Sequence, residues 1–210
     1  MAQIIKFPAQ ASKFGYKRVR KRGQSSDDPH QLRLSFQPSA TILNLESSLS
    51  SFEQALMMDE RDDPRAAEFY LKAIQAEDCV ADSYCNLGIL QSKQGNSPGA
   101  FESFTAALKQ DPRHFEAHFN LGNLYFELDD FRLARVHYQF AAAIDPVFPN
   151  VHFNLALVEA IANDFSAAVT ALTTYRKLVS PDEARSAEQL LEQLRRSLAT
   201  AKGSRLGSTA

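Results

Sequence analysis

Tyr84-Cys85-Asn86-Leu87-Gly88, His118-Phe119-Asn120-Leu121-Gly122 and His152-Phe153-Asn154-Leu155-Ala156 stand 34 residues apart, and this recurrence decides the fold. Self-similarity at a fixed period of this length marks a stack of identical supersecondary units. Downstream of each quoted stretch the register holds. Ala100, Phe104 and Ala107 correspond to Ala134, Tyr138 and Ala141, and then to Ala168, Leu172 and Tyr175. Each unit closes on a breaker: Asp111-Pro112, Asp145-Pro146 or Ser180-Pro181. The units are therefore residues 81–114, 115–148 and 149–182.

The recurring residue types make sense for paired helices. The first helix of each unit is predicted to stop at Gly95, Asp129 or Asn163, residue types that tolerate the left-handed backbone conformation ending a helix. The second helix folds back so that Gly88, Gly122 and Ala156 meet Ala100, Ala134 and Ala168, small against small. Leu87, Phe104, Leu121, Tyr138, Leu155 and Leu172 fill the space beside them. The closing proline cannot continue a helix.

This pattern resembles the tetratricopeptide repeat, a 34-residue helix–turn–helix motif with Leu-Gly, a later Ala, an aromatic, a second Ala and a terminal Pro. The resemblance implies an all-α fold: a right-handed solenoid of helical hairpins. Phe52-Glu53-Gln54-Ala55-Leu56 with Ala66, Tyr70 and Ala73 supplies a weaker fourth unit at the N-terminal side, about residues 48–80. Ala55 meets Ala66 there only if the loop near Arg61-Asp62-Asp63-Pro64 is one residue short, and Asp78 stands where the closing proline would be. Terminal repeats commonly depart from the pattern in this way.

The repeat domain thus spans 47–182. Beyond it Ser180, Pro181 and Glu183 form a capping-box signature. Ala184, Ala187, Leu190, Leu191, Leu194 and Leu198 then make one apolar stripe. Residues 183–202 read as a helix capping the stack, with a homodimer contact as the alternative use of the stripe, and 203–210 read as a flexible tail. Residues 1–46 lack a sustained period and read as a basic, mostly disordered segment, with Ile42 to Leu49 offered as the start of the first helix.

Composition narrows the function. The chain has no apolar run of about 18 residues, so no transmembrane segment is predicted. Lys6 and Pro8 interrupt any secretory core in MAQIIKFPAQ. Cys79 and Cys85 give neither a disulfide framework nor metal-ligand spacing, so no metal or other cofactor is expected and a reducing, cytoplasmic setting fits best. The net charge of −2 conceals an asymmetry. Residues 1–50 hold eight Lys/Arg against three Asp/Glu, whereas residues 51–182 hold ten against nineteen. Enzyme signatures are lacking: no Gly-rich phosphate loop, no nucleophile elbow, no histidine constellation. His118 and His152 occupy packing positions, while His114 and His137 read as surface residues.

Function is expected on the first helices, which line the concave side of such a stack. Helical spacing assigns Asp82, Cys85, Asn86, Ile89, Ser92 and Lys93 to that side in one unit. In the next two it assigns Glu116, Phe119, Asn120, Asn123, Phe126 and Glu127, then Asn150, Phe153, Asn154, Leu157, Ala160 and Ile161. Asn86, Asn120 and Asn154 recur at one position although Asn is a mediocre helix former. A carboxamide both donates and accepts, so it can pair with one peptide unit of an extended ligand whatever that ligand's side chains are. The alternative is that these asparagines bond to the neighbouring repeat. The predicted peptide-binding set is Asn86, Ile89, Phe119, Asn120, Asn123, Phe126, Phe153, Asn154 and Leu157, the aromatics providing apolar anchors.

The resemblance also bears on ligand type. Repeat domains of this family that clamp the acidic C-termini of chaperones need Lys and Arg on the inner face, where this chain has Asp82, Cys85, Glu116, Phe119 and Phe153. The reading is a non-catalytic adaptor or scaffold for a protein or peptide partner. The alternative is a nucleic-acid-associated regulator whose Lys13, Lys17, Arg18, Arg20, Lys21 and Arg22, interleaved with Phe14 and Tyr16, contact phosphates and bases.

Overall fold

The structure is a computed structural model that describes residues 49–206; the basic run and the stretch 42–48 lie outside the described residues. Among the described residues every regular element is a helix: α1 (Ser51–Glu60), α2 (Ala66–Gln75), α3 (Val80–Lys93), α4 (Ser97–Gln110), α5 (Phe115–Glu127), α6 (Phe131–Ile144), α7 (Pro149–Ile161), α8 (Phe165–Leu178) and α9 (Pro181–Leu206). The fold is the all-α helical-hairpin repeat that the 34-residue period predicts. The helices fall into two compact units, α1–α4 and α5–α9.

Each first helix ends as its sequence dictates. Gly95, Asp129 and Asn163 have φ of 77°, 58° and 60°. The residue after each then starts the next helix. Asn96 Oδ1 accepts from the Gly99 amide (3.1 Å), Asp130 Oδ1 from Leu133 (3.0 Å) and Asp164 Oδ1 from Ala167 (3.0 Å). A left-handed stop followed by an Asn/Asp cap thus recurs at the tips of the α3/α4, α5/α6 and α7/α8 hairpins, satisfying donors that the helix itself leaves unbonded.

The small residue of each first helix has a different reason from the one its sequence suggests. A Cβ on Gly122 would lie 2.5 Å from both Cδ1 and Cε1 of Tyr138, and one on Gly88 would lie 2.7 Å from Cε1 of Phe104. The aromatic ring of the second helix, not its alanine, occupies the space. Ala156 is tolerated where the partner is Leu172, which has no ring to place there.

In the unit α1–α4, Phe52, Ala55, Leu56, Ala66, Tyr70, Ala73 and Leu87 form one core. Ser50 and Glu53 make a capping box at the start of α1, which begins at Ser51. The hairpin tip is one residue short, with Asp62 at φ 52°, and Ala55 and Ala66 are both buried, as the degenerate repeat requires. Asp78, in the place of the closing proline, accepts from the Phe52 amide at 2.9 Å and so ties the end of this repeat to its own beginning.

In the unit α5–α9, Phe115, Phe119, Ala134, Tyr138, Ala141, Val151, Leu155 and Val158 form one core cluster. Ala187, Leu190, Leu191 and Leu194 of α9 join Ala156, Ala168 and Leu172 in another. These four residues of α9 are buried within their own chain. Ser180 and Glu183 bond reciprocally at its start. The helix runs to Leu206, past the tail expected from residue 203. Extending a formed helix costs little per residue, and Ala201 and Lys202 favour it.

Candidate functional site

Most of the predicted first-helix residues are buried rather than open to solvent. Asn86 is 1% exposed, Ile89 0%, Phe119 1%, Asn120 0%, Asn123 2%, Asn154 0% and Leu157 5%. Buried asparagine is uncommon, and each such carboxamide must be accounted for.

Asn123 and Asn154 answer through a relay inside α5–α9. The Tyr138 hydroxyl donates to Asn123 Oδ1 at 2.8 Å, and the Asn154 amide donates to the same oxygen at 3.0 Å. Asn123 therefore belongs to the support of the site, reading one hydroxyl from its own repeat and one amide from the next. This is the inter-repeat bond that the alternative reading of the ladder foresaw. It also fixes the plane of the Asn154 carboxamide, so its oxygen and second N–H have set directions. Burial pushes the Tyr138 hydroxyl far up from the usual phenol range, which keeps it a neutral donor.

Unit α1–α4 has a related arrangement. The buried Tyr70 hydroxyl donates to Asp59 Oδ2 at 3.1 Å. The Asn86 carboxamide differs from those of the other unit: neither its oxygen nor its amide nitrogen has a hydrogen-bond partner among the described residues. Asp82 and Glu116, one turn before Asn86 and Asn120, are 6% and 2% exposed, carboxylates that sequence reasoning placed on an open face.

The aromatics also need correction. Phe119 is not an exposed anchor. Its ring lies in the core, edge-on to Phe148 at 5.4 Å and tilted to Tyr138 at 6.1 Å. Phe126 and Phe153 are half-buried, packing on Phe131 (5.4 Å) and Tyr175 (5.2 Å). A first-helix aromatic of this length reaches the second helix of its own hairpin, where ring contacts and apolar burial outweigh exposure. Lys13, Lys17, Arg18, Arg20, Lys21 and Arg22 lie outside the described residues.

Two histidines read as surface residues are not. His114 is 0% exposed and caps α5, its Nδ1 accepting from the Ala117 amide at 3.1 Å. His137 faces His118, Nδ1 to Nδ1 at 3.1 Å, while His118 Nε2 lies 3.1 Å from the Pro112 carbonyl. If Nε2 of His118 donates to that carbonyl, its Nδ1 accepts and His137 Nδ1 donates, an arrangement of two neutral rings. Burial lowers both imidazoles, that of His137 to about 4. Their sequence signal was slight: His118 follows an Asp-Pro by six residues, as His152 does, and His152 Nε2 likewise meets Pro146 O at 2.8 Å. Among the described residues no group of three or more His, Cys, Asp or Glu is placed to hold a metal ion. No helix among them is long and apolar enough to cross a membrane.

With this geometry in place, the chain can be set beside known proteins. A tetratricopeptide-repeat family model matches residues 85–147 and again 120–183. No curated protein sequence matches the chain. Among solved structures, one of MamA is 18% identical, with a TM-score of 0.54 over 73% of this chain and 96% of that one. A MamA double mutant gives 17%, 0.55, 71% and 95%. The first repeat domain of Spaghetti (RPAP3), solved bound to an HSP90 peptide, gives 19%, 0.51, 57% and 93%. At these identities the structures show a shared fold. The family match makes residues 85–183 tetratricopeptide repeats, and the shared fold agrees with it.

Proposed function

We propose that this chain is a protein-interaction adaptor whose first-helix faces hold an extended peptide segment through main-chain hydrogen bonds. The observation that carries this reading is the repeated buried carboxamide. Asn86, Asn120 and Asn154 occupy one position in three repeats and are 1%, 0% and 0% exposed. The carboxamide of Asn154 is oriented by the Tyr138–Asn123 relay. A pre-oriented donor–acceptor pair loses little entropy on binding, the condition under which a modest contact contributes usefully to affinity. Peptide recognition also suits the repeat family, since the Spaghetti (RPAP3) domain was solved with a peptide bound. The ligand differs in kind. Asp82 and Glu116 stand where a domain selecting an acidic tail needs cations, so an acidic chaperone tail is disfavoured here. The two cysteines, Cys79 and Cys85, give no disulfide framework, which supports a reducing, cytoplasmic setting.

Selection of decapeptides from a displayed random library on the full chain tests the reading, followed by calorimetry of the enriched sequences. Asn120→Ala is expected to weaken binding about tenfold while leaving the helical signal intact, a loss of about 1.4 kcal/mol. Equal affinity for the wild type and Asn120→Ala would overturn it.

A further inference from the structure

Within α5–α9, side chains of α6, α7 and α8 line an open groove of about 380 Å³, a size that suits a small ligand group. Ala142, Leu155, Ala167 and Ala171 give it apolar walls. Leu155 and Glu159, both from α7, are buried, while Gln139 and Thr170 are exposed and the other lining residues are half-buried. The groove is therefore open to solvent without movement of a helix.

Its polar groups are nearly all acceptors. The Thr170 hydroxyl donates to the Ser166 carbonyl at 3.1 Å, and the Thr174 hydroxyl to the Thr170 carbonyl at 3.2 Å. Each hydrogen is engaged, and each oxygen keeps a lone pair to offer. His152 Nε2 lies 2.8 Å from the Pro146 carbonyl, which can only accept, so the ring hydrogen is on Nε2 and Nδ1 is an acceptor. Glu159, 4% exposed, accepts from Arg135 Nε on Oε1 at 3.1 Å, whereas its Oε2 has no hydrogen-bond partner among the described residues. The terminal torsion of a glutamate is soft, so either oxygen can turn to a donor that enters the groove. Asp164, which caps α8 through Ala167, adds negative charge that acts on Glu159, so the two carboxylates outweigh the Arg135 guanidinium. Among the lining side chains only the exposed Gln139 has amide hydrogens to give.

A ligand for this groove must bring donors, positive charge and an apolar stem. An arginine side chain has all three: a planar group of N–H donors with no acceptor, on a methylene stem that packs along apolar surface. Lysine concentrates its charge at one point and covers fewer of these acceptors. We propose that the groove is a second recognition site, taking an arginine side chain of a partner protein with its guanidinium on Glu159 and its stem along Ala142, Leu155, Ala167 and Ala171. His152 Nδ1 and the threonine oxygens receive the remaining N–H groups. The site stands apart from the peptide-binding reading above, since no asparagine of the ladder lines it.

Magnetic-resonance titration of the full chain with the capped peptide acetyl-Gly-Arg-Gly-amide tests the proposal, read at the methyl groups of Ala167, Thr170, Ala171 and Thr174. A dissociation constant on the order of millimolar is expected for one side chain. Citrulline in place of arginine keeps the shape and removes the charge, and should bind about tenfold more weakly. Glu159→Gln should weaken the arginine peptide about tenfold. Thr170→Val/Thr174→Val, at exposed and half-buried positions where the fold tolerates change, should weaken it about threefold. Asn120→Ala should leave it unchanged. Equal affinity for the arginine and citrulline peptides, or groove methyls unmoved at about 20 mM arginine peptide, would overturn the proposal. Loss of binding in Asn120→Ala with full retention in the valine variant would place the arginine on the first-helix face and overturn it as well.

Discussion

Replacing Gly122 by alanine is expected to destabilise the protein by about 2 kcal/mol, against the sign that helix propensity alone gives. In an ordinary helix interior Gly→Ala gains about 1 kcal/mol. Here the new Cβ would sit 2.5 Å from two ring carbons of Tyr138, about 1 Å inside normal contact. The ring cannot retreat cheaply, since Tyr138 is 0% exposed and its hydroxyl is held by Asn123 at 2.8 Å. Overpacking of this kind costs about 1–3 kcal/mol, and stretching the buried hydrogen bond adds about 1. Tyr138→Leu alone should cost about 3 kcal/mol through the cavity and the lost hydroxyl. The double variant Gly122→Ala/Tyr138→Leu recreates the Ala156/Leu172 pair of the following repeat. It should be no worse than Tyr138→Leu by itself, giving a favourable coupling of at least about 2 kcal/mol. Urea unfolding followed by circular dichroism measures all four corners of the cycle, 2 kcal/mol corresponding to a midpoint shift of about 1 M. Costs that add to within about 0.5 kcal/mol would refute the claim that ring and glycine are one packing unit.

The His118–His137 pair predicts acid sensitivity. The folded imidazoles are held down, His137 to about 4 from an ordinary 6.5, so between those values the unfolded chain binds more protons and stability falls as pH falls. The urea midpoint should drop between pH 7 and 4.5, and His137→Phe should flatten that dependence. Asp78→Ala should cost about 1 kcal/mol by removing the bond to the Phe52 amide, with hydrogen exchange accelerated at the start of α1. Leu191→Ala and Leu194→Ala should each cost about 2–4 kcal/mol, because both are 0% exposed on the packed face of α9 and their loss loosens the end of the unit.

The hairpins were legible because breakers act locally. Gly95, Asp129 and Asn163 stop their helices by backbone conformation, and nothing distant is needed to read them. The role of Gly88 and Gly122 was legible only in part. Period alone pairs them with alanines, while the contact depends on how far the rings of Phe104 and Tyr138 reach. The candidate site was harder, since a helical wheel gives direction and not depth. It put Phe119 and Asn123 on one face of their helix but could not show that the core and the Tyr138 hydroxyl claim them. His137 was misread for the same reason, its partner lying 19 residues away on another helix.

The central claim is that the first-helix faces grip the main chain of an extended peptide. Backbone N-methylation of an enriched decapeptide, one amide at a time, tests it most directly by calorimetry. The account predicts that methylation at the amides opposite the asparagines weakens binding about tenfold each, and that alanine replacement of the flanking side chains changes it less. Affinity indifferent to N-methylation but abolished by side-chain replacement would contradict it.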